Sequence, residues 1–256
     1  MIIAGLTGGI RHGKTTFANL LALQSKSSHH FESWELVAEV AAALRAETHV
    51  HPSAGNIAAI NEWLYPLADL VNLHVHANVS FEDLKLTDEL VQAYPEHYTK
   101  LFEYLQLIEA DPSLADTDIT ADTKETFRPL LQWLGGYLVA KVGSGVWYDE
   151  LVRRIAHLRS SGYNLVTVGG VRYPGDAERI RNAGGVIICI ERPDLPQQDA
   201  QDLTEREREA IQSDAIIVNN ATISQLETCA RQVYHDLSMR QLQPKYLASD
   251  TKMPLS

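Results

Sequence analysis

A glycine-rich motif near the N-terminus limits the possible folds of this chain more than any other feature does. Residues 8–15 match the pattern G-x-x-x-x-G-K-[ST] in full, with the sequence Gly-Gly-Ile-Arg-His-Gly-Lys-Thr. An apolar run at residues 2–6 precedes them and a helical pattern follows, which is the strand–loop–helix context that this motif requires. A glycine-rich turn that only starts a helix is the alternative. The full match in this context favours a phosphate-binding loop.

The residue types of the motif predict how a triphosphate would be held. Glycines let backbone N–H groups turn toward phosphate oxygens, and the following helix presents its positive N-terminal end. Lys14 is predicted to reach the β- and γ-phosphates, and the Thr15 hydroxyl to ligate Mg²⁺. For Arg11 and His12, which occupy variable positions, contact with phosphate and exposure to solvent are both open. The residues predicted to bind ATP are Gly8, Gly9, Ile10, Arg11, His12, Gly13, Lys14, Thr15 and Thr16.

The pattern of apolar runs predicts an α/β fold with a five-stranded parallel sheet. Together with the motif at residues 8–15, it predicts a three-layer sandwich of the P-loop NTPase type. The predicted strands are residues 2–6, 30–34, 164–168, 186–190 and 215–218. We expect a single domain over residues 1–256, with a helical insertion at about 47–122, because one crossover connection needs only about a dozen residues. Residues 241–256, which contain Pro244 and Pro254, are predicted to form an irregular tail.

The composition limits the partners of the chain. Its formal net charge is −11, which argues against affinity for a nucleic acid polymer but not against a mononucleotide, since a mononucleotide needs only a few cations. No apolar run reaches the roughly 18 residues of a membrane-spanning helix, and the first residues lack the basic flank of a signal peptide. We therefore expect a cytoplasmic protein without membrane contact, in which Cys189 and Cys229 are reduced. The sequence leaves open whether two copies form a homodimer.

A second candidate site lies on a predicted helix at residues 129–142. Arg128 precedes Pro129, which suits a first helical turn, and Gln132 and Gly135 follow further along the helix. Spacings of four and seven residues place the three positions on one helical face. An arginine, an amide and a glycine there would bind a phosphate, pair with a nucleobase edge and admit a ligand closely. An exposed polar face on a flexible helix is the alternative.

Two further arginines follow predicted strands. Arg172 comes soon after the third strand, and Arg192 directly follows the fourth. Ligands of an open parallel sheet bind beyond the carboxyl ends of its strands, so we expect both guanidinium groups beside the phosphates. There they would stabilise the charge that develops during phosphoryl transfer. For Arg172, an ion pair with Asp176 or Glu178 is the alternative.

Together these residues resemble the deoxynucleoside monophosphate kinases of phage and prophage type, within the wider nucleoside monophosphate kinase group. The resemblance covers residues 1–22 and 126–226, and it is absent from about residue 47 to residue 122. Beside the motif at residues 8–15, it depends on the short segments Arg128-Pro129-Leu130-Leu131-Gln132-Trp133-Leu134-Gly135, Trp147, Val171-Arg172-Tyr173-Pro174, Asp176-Ala177-Glu178, Glu191-Arg192-Pro193, Thr204-Glu205 and Asn219-Asn220.

The chain departs from the family pattern at several positions. Gly170 stands where the family carries an acidic residue at the end of the third strand, and that acid helps to hold the water shell of magnesium. The segment at residues 135–137 is Gly-Gly-Tyr in place of the family's Gly-Thr-Glu. Glu35, shortly after the second strand, is matched to a family aspartate near the substrate.

The resemblance implies a phosphotransferase that uses ATP and Mg²⁺, a nucleoside monophosphate kinase whose expected acceptor is a deoxynucleotide and whose product is the diphosphate. We expect catalytic roles for Lys14, Arg128, Arg172 and Arg192, and a metal contact from Thr15. The residues expected to contact the acceptor are Glu35, Arg128, Gln132 and Gly135. Two alternatives stay open: a small-molecule kinase of another acceptor class, similar to dephospho-coenzyme A kinase, and a nucleotide-binding protein with little turnover.

Overall fold

The chain forms two compact units. The computed structural model describes residues 1–48, 51–93, 95–195, 207–220 and 222–247, so Thr204 and Glu205 lie outside the described residues. One unit combines Met1–Ser33 with Leu151–Ser256, and the other is Trp34–Glu150. The segment expected to form a helical insertion, residues 47–122, falls within the second unit.

The first unit contains a parallel sheet with the strand order β2-β3-β1-β4-β5-β6. Every neighbouring pair is parallel, which confirms the predicted α/β class. The predicted number of five strands is wrong, because the described residues form a six-stranded sheet. The strands are β1 (Ile2–Thr7), β2 (Ser28–Glu32), β3 (Leu165–Gly169), β4 (Val186–Glu191), β5 (Ala215–Val218) and β6 (Lys245–Leu247).

Helices connect these strands and build the second unit. They are α1 (Lys14–Ala22), α2 (Ser33–Glu47), α3 (Ile57–Trp63), α4 (Leu67–Val75), α5 (Phe81–Leu84), α6 (Asp88–Ala93), α7 (Pro95–Ala110), α8 (Arg128–Val142), α9 (Val146–Ser160), α10 (Pro174–Asn182) and α11 (Ile223–Met239), with a 3-10 turn at Pro112–Asp116. Pro129 occupies the first turn of α8, as predicted. None of the helices in the described part of the chain combines the length and the apolar character needed to cross a membrane.

Alternate residues of β1 face opposite sides of the sheet, and both sides are covered by helices. Ala4 and Leu6 belong to a buried cluster with Phe17 of α1 and Val233 of α11. On the other side, Ile180 of α10 packs so closely over β1 that a Cβ atom on Gly5 would lie 2.8 Å from its Cδ1. A central strand covered on both faces has to be apolar throughout, which explains the continuous apolar run at the start of the chain.

The sixth strand corrects the expectation of an irregular tail at residues 241–256. Lys245–Leu247 pairs in parallel with β5 at the edge of the sheet, and residues 248–256 lie outside the described residues. The buried ring of Tyr246 anchors this strand, because its hydroxyl donates to Asp236 Oδ2 of α11 at 2.8 Å and accepts from the Gln243 N–H at 2.7 Å. Burial raises the pKa of Tyr246, so the hydroxyl keeps the proton that it donates.

An aromatic core holds the helices of the second unit together. Trp133 and Tyr137 of α8 stack with ring centroids 5.2 Å apart, and Trp63 of α3 lies 6.3 Å from Trp133. The buried Tyr137 hydroxyl donates to the Leu84 carbonyl at 2.5 Å, which joins α8 to the end of α5. Close to this core, α2 approaches α8 so that a Cβ atom on Gly135 would lie 3.8 Å from Val37 Cγ2. The helix that carries the predicted acceptor residues is therefore fixed by packing.

Cys189 and Cys229 are free thiols in the first unit, as predicted. Burial raises the pKa of each to about 11, and the nearby Glu191 carboxylate adds to the effect on Cys189. Both cysteines are therefore protonated and unreactive at neutral pH.

We predict that Tyr246→Phe lowers the free energy of unfolding by about 1–3 kcal/mol, because the buried Asp236 carboxylate loses its hydroxyl donor. Denaturant unfolding followed by circular dichroism measures this loss. Tyr234→Phe is the control, since Tyr234 packs against the same core, and we expect it to cost less than about 0.5 kcal/mol. Equal effects of the two variants would contradict the anchoring role of Tyr246.

Candidate functional site

The candidate site of the first unit lies at the carboxyl ends of the central strands. Because all strands are parallel, β1, β3, β4 and β5 end at the same edge of the sheet. β1 lies between β3 and β4, and the loop of residues 8–13 leaves it to enter α1. The residues that follow β3 and β4 therefore flank this loop on either side.

The loop backbone approaches the end of β4 so closely that Gly8 has no room for a side chain. Gly8 has a φ of 134°, and a Cβ atom there would lie 2.2 Å from the Ile190 carbonyl oxygen. Gly13 is similarly confined, because its φ is 95° and a Cβ atom would lie 2.6 Å from Asn219 Nδ2. The two fixed glycines of the motif are thus required by the positive φ angles and by the close contacts.

Two side chains bind the loop to the neighbouring strands. Asn219, at the end of β5, donates from Nδ2 to the His12 carbonyl at 2.8 Å, and its own N–H donates to the Glu191 carbonyl at 2.7 Å. His12 Nδ1 lies 3.1 Å from the Ile190 carbonyl and 3.3 Å from the Arg192 N–H, and the tautomer decides which bond it makes. His12 is half-buried in these contacts, whereas Arg11 is exposed with a φ of 65°. The alternative of a solvent-facing side chain therefore describes Arg11 but not His12.

Helix α1 begins directly at the loop with an N-terminus that no side chain caps. Gly13 is the N-cap residue, and the first turn contains no acidic residue. The first N–H groups of an α-helix have no intrahelical acceptor, and together they carry a partial positive charge. Lys14 Nζ donates to the Gly8 and Gly9 carbonyls at 2.8 Å each, so the ammonium group is held across the loop. This combination of an ammonium group and helix amides attracts anions.

Glu32, which the sequence analysis did not select, contacts the motif from β2. The Thr15 hydroxyl donates to Glu32 Oε1 at 2.9 Å. His30 lies between this carboxylate and β3, with Nε2 at 3.0 Å from Glu32 Oε1 and Nδ1 at 2.8 Å from the hydroxyl of the buried Thr167. Thr15 is exposed and the Glu32 side chain is 22% exposed, so the pair faces the edge of the site.

Arg172 follows β3 and Arg192 follows β4. The segment that carries Arg172 crosses the end of β1, because the Val171 N–H donates to the Leu6 carbonyl at 3.2 Å. Both guanidinium groups are on exposed residues. The ion pair of Arg172 with Asp176 or Glu178 stays the alternative interpretation of this arginine.

The residues expected to contact the acceptor all belong to the second unit. Arg128 begins α8 and binds the Glu125 carboxylate through Nε at 2.8 Å and through a terminal nitrogen at 2.7 Å. Gln132 is exposed one turn later, and the Gly135 carbonyl accepts from Trp147 Nε1 at 3.1 Å. Glu35 is half-buried in the first turn of α2. Arg128, Gln132 and Gly135 all lie in α8, as predicted. On this helix Arg128 forms an ion pair with the exposed Glu125 carboxylate.

Among the described residues, no group of three or more His, Cys, Asp or Glu side chains forms a metal cluster. A magnesium site does not require one, because Mg²⁺ usually keeps several waters and takes one or two protein oxygens beside substrate phosphates. The Thr15 hydroxyl and the Glu32 carboxylate, 2.9 Å apart, form a donor set of this kind.

Comparisons with protein families and curated proteins relate the chain to deoxynucleotide kinases. The family model for deoxynucleotide monophosphate kinase matches residues 67–229. A protein of Acanthamoeba polyphaga mimivirus with the description "Putative deoxynucleotide monophosphate kinase" is 33% identical over 89 residues, which cover 33% of this chain and 42% of that protein. The chain thus spans about two-fifths of the length of the curated relative that it matches.

The family match differs in extent from the resemblance found in the sequence analysis. It includes α4, α5, α6 and α7, so the expectation that the family pattern is absent from residues 47–122 is wrong for residues 67–122. It also includes Arg128, Arg172 and Arg192. Residues 1–66, with Lys14 and Glu32, lie outside the match, so their assignment depends on the motif and on the geometry of the loop.

We predict that Gly8→Ala lowers the free energy of unfolding by about 2 kcal/mol more than Gly162→Ala does, because only the first variant forces a methyl group against a carbonyl oxygen. Gly162 is a matched control, since its φ is also positive, at 84°, but a Cβ atom there meets nothing within 4 Å. Urea unfolding of both variants gives the comparison. Similar losses for the two would show that the loop does not depend on its contact with β4.

Proposed function

The chain belongs to the deoxynucleotide monophosphate kinase family, and we propose that it transfers the γ-phosphoryl group of ATP to a deoxynucleoside monophosphate, giving the diphosphate. The observation that carries this proposal is the arrangement of the loop at residues 8–13, where the Lys14 ammonium group lies over backbone carbonyls beside an uncapped helix N-terminus. Phosphoryl transfer requires mainly that the protein positions the reactants and stabilises charge. The loop can position the phosphates, and the Lys14 ammonium group can stabilise their charge.

In this proposal the β- and γ-phosphates of ATP lie on the loop. The backbone N–H groups at the start of α1 donate to phosphate oxygens, and the Lys14 ammonium group offsets their negative charge. The contacts of Gly8 with Ile190 and of Gly13 with Asn219 hold the loop in one conformation before the ligand arrives. A loop ordered in advance loses little conformational entropy when ATP binds, which favours affinity.

A magnesium ion fits the same edge of the site. The Thr15 hydroxyl and the Glu32 carboxylate are hard oxygen donors, which Mg²⁺ prefers. When bound, the ion neutralises charge on the β- and γ-phosphates. The chain's own contribution is to hold these two oxygens 2.9 Å apart at the start of α1.

The arginines of the first unit support transfer from the flanks of the loop. Arg172 follows β3 and Arg192 follows β4, and these strands are the two neighbours of β1. We propose that their exposed guanidinium groups donate to the oxygens of the transferring phosphoryl group. Cations fixed in this position stabilise the transition state more than the ground state, because charge is redistributed over the phosphoryl oxygens during transfer.

The acceptor is assigned to the face of α8 that carries Arg128, Gln132 and Gly135. Arg128 holds the Glu125 carboxylate in a bidentate geometry, which is also the geometry in which an arginine binds a phosphate. The pair is exposed, so exchanging this carboxylate for a monophosphate costs little. Gln132, exposed one turn after Arg128, offers an amide to a nucleobase edge.

We predict that Lys14→Ala abolishes ATP binding and turnover while the fold is kept, because the ammonium group that spans the loop is lost. ADP release with a panel of nucleoside monophosphates measures turnover, and calorimetry measures ATP binding. Lys26→Ala is the control, since Lys26 is an exposed lysine of the same unit beyond the end of α1. Unchanged ATP affinity in Lys14→Ala would refute the assignment of the loop.

For Arg128→Ala we predict a rise of about tenfold or more in the KM of the monophosphate acceptor with little change in the KM of ATP, because a bidentate phosphate contact is lost. Glu125→Gln is the matched control: it breaks the same ion pair but keeps the arginine, so it should leave the acceptor KM unchanged or lower. If both variants raise the acceptor KM equally, the ion pair itself is the important feature and Arg128 does not bind the acceptor.

A further inference from the structure

We infer that Glu32 of β2 supplies the acidic oxygen of the magnesium site, in place of an acid on β3. The inference deepens the proposed function and depends on it, because it concerns the metal that accompanies ATP. The acid that the family pattern places at the end of the third strand is a glycine in this chain, Gly170. The structure shows both why this position is a glycine and which carboxylate occupies the space beside it.

A side chain on either residue at the end of β3 would collide with the side chain of Glu32 or Ser33 in its present position. Gly170 has a φ of 72°, and a Cβ atom there would lie 2.4 Å from the Ser33 hydroxyl oxygen. At Gly169 a Cβ atom would lie 2.6 Å from Glu32 Oε2 and 2.8 Å from Oε1. The atoms that crowd Gly169 are thus the carboxylate oxygens of Glu32 themselves.

The register of the sheet explains how an acid on β2 can take the place of an acid on β3. Glu32 and Gly169 are partners in the parallel pairing of β2 and β3, and partners in adjacent strands direct their side chains to the same face. The Glu32 carboxylate therefore lies over Gly169, and its Oε2 would be 4.0 Å from a Cβ atom on Gly170, the position of the family's acid. In this chain the acid is on β2, and Gly169 on β3 makes the space for it.

The contacts of Glu32 orient it toward the motif. Oε1 accepts from the Thr15 hydroxyl at 2.9 Å and lies 3.0 Å from His30 Nε2. The His30 ring is held from its other side by the hydroxyl of Thr167, which is buried in β3. A hydroxyl can donate its proton to a carboxylate and still offer a lone pair to a metal ion, so the Thr15 contact is compatible with a magnesium ligand.

Calorimetry of ATP binding to the full chain, in MgCl₂ and in EDTA, tests the inference without measuring turnover. The measured quantity is the metal enhancement, the Kd of ATP in EDTA divided by the Kd in MgCl₂. We expect Glu32→Gln to lower this enhancement about tenfold relative to wild type, because metal-site carboxylates typically contribute factors of that order. The Kd in EDTA should stay within about twofold, since the loop and Lys14 are untouched.

Two further variants separate a role in metal binding from a role in folding. Glu227→Gln removes a carboxylate from α11 in the same unit and should leave the enhancement unchanged. Gly169→Ala keeps Glu32 but displaces its carboxylate, so it should lower the enhancement as Glu32→Gln does. Gly169 does not have a positive φ, so an L-residue can occupy this position. The double variant Glu32→Ala with Gly169→Asp therefore returns an acid to β3. It should recover at least part of the enhancement that Glu32→Ala alone loses.

The outcomes distinguish failure of the inference from failure of the proposed function. If the wild type binds no ATP in either buffer, the proposed nucleotide site is wrong and the inference is wrong with it. If the wild type binds ATP with a clear metal enhancement that Glu32→Gln retains, the inference alone is overturned. A wild-type enhancement near one, or a double variant no better than Glu32→Ala, also contradicts it.

Discussion

The contact between the Gly8 backbone and the Ile190 carbonyl determines the shape of the site at the edge of the sheet. It brings β4 against the loop, so that Arg192 follows within two residues of the contact. Asn219 adds a second attachment from β5 through the His12 carbonyl. Contacts from two strands constrain the loop before an anion binds, and N–H groups ordered in advance favour the binding of phosphate.

The same edge carries charges of both signs in separate places. Lys14 lies in the motif, Arg172 and Arg192 follow the two strands beside β1, and Glu32 contacts Thr15. Separation of this kind suits a triphosphate with its metal, since the cations meet phosphate oxygens and the carboxylate meets the ion. The proposed nucleotide binding is compatible with a net charge of −11, because affinity depends on a few local cations rather than on the whole surface.

The sequence predicts the central strands well because a parallel sheet covered on both faces needs continuous apolar runs, and those runs are visible at β1, β4 and β5. It does not predict β6, whose three residues include a single buried side chain, Tyr246. Glu32 was missed for a different reason. Glu32 and Gly169 are brought together by the register of two strands that are distant in the sequence. A local sequence pattern cannot predict this register. The absence of the expected acid at Gly170, taken with an acid near the end of a neighbouring strand, was the available signal.

In the proposed reaction the chain moves a phosphoryl group from ATP, bound at the loop of residues 8–13, to a deoxynucleoside monophosphate. Phosphorus NMR of the full chain with ATP, MgCl₂ and each deoxynucleoside monophosphate in turn tests it directly, because transfer and hydrolysis give different products. We expect that at least one acceptor yields the signals of two nucleoside diphosphates in equal amounts, and that Lys14→Ala yields none. ADP with inorganic phosphate, or unchanged ATP with every acceptor, would contradict it.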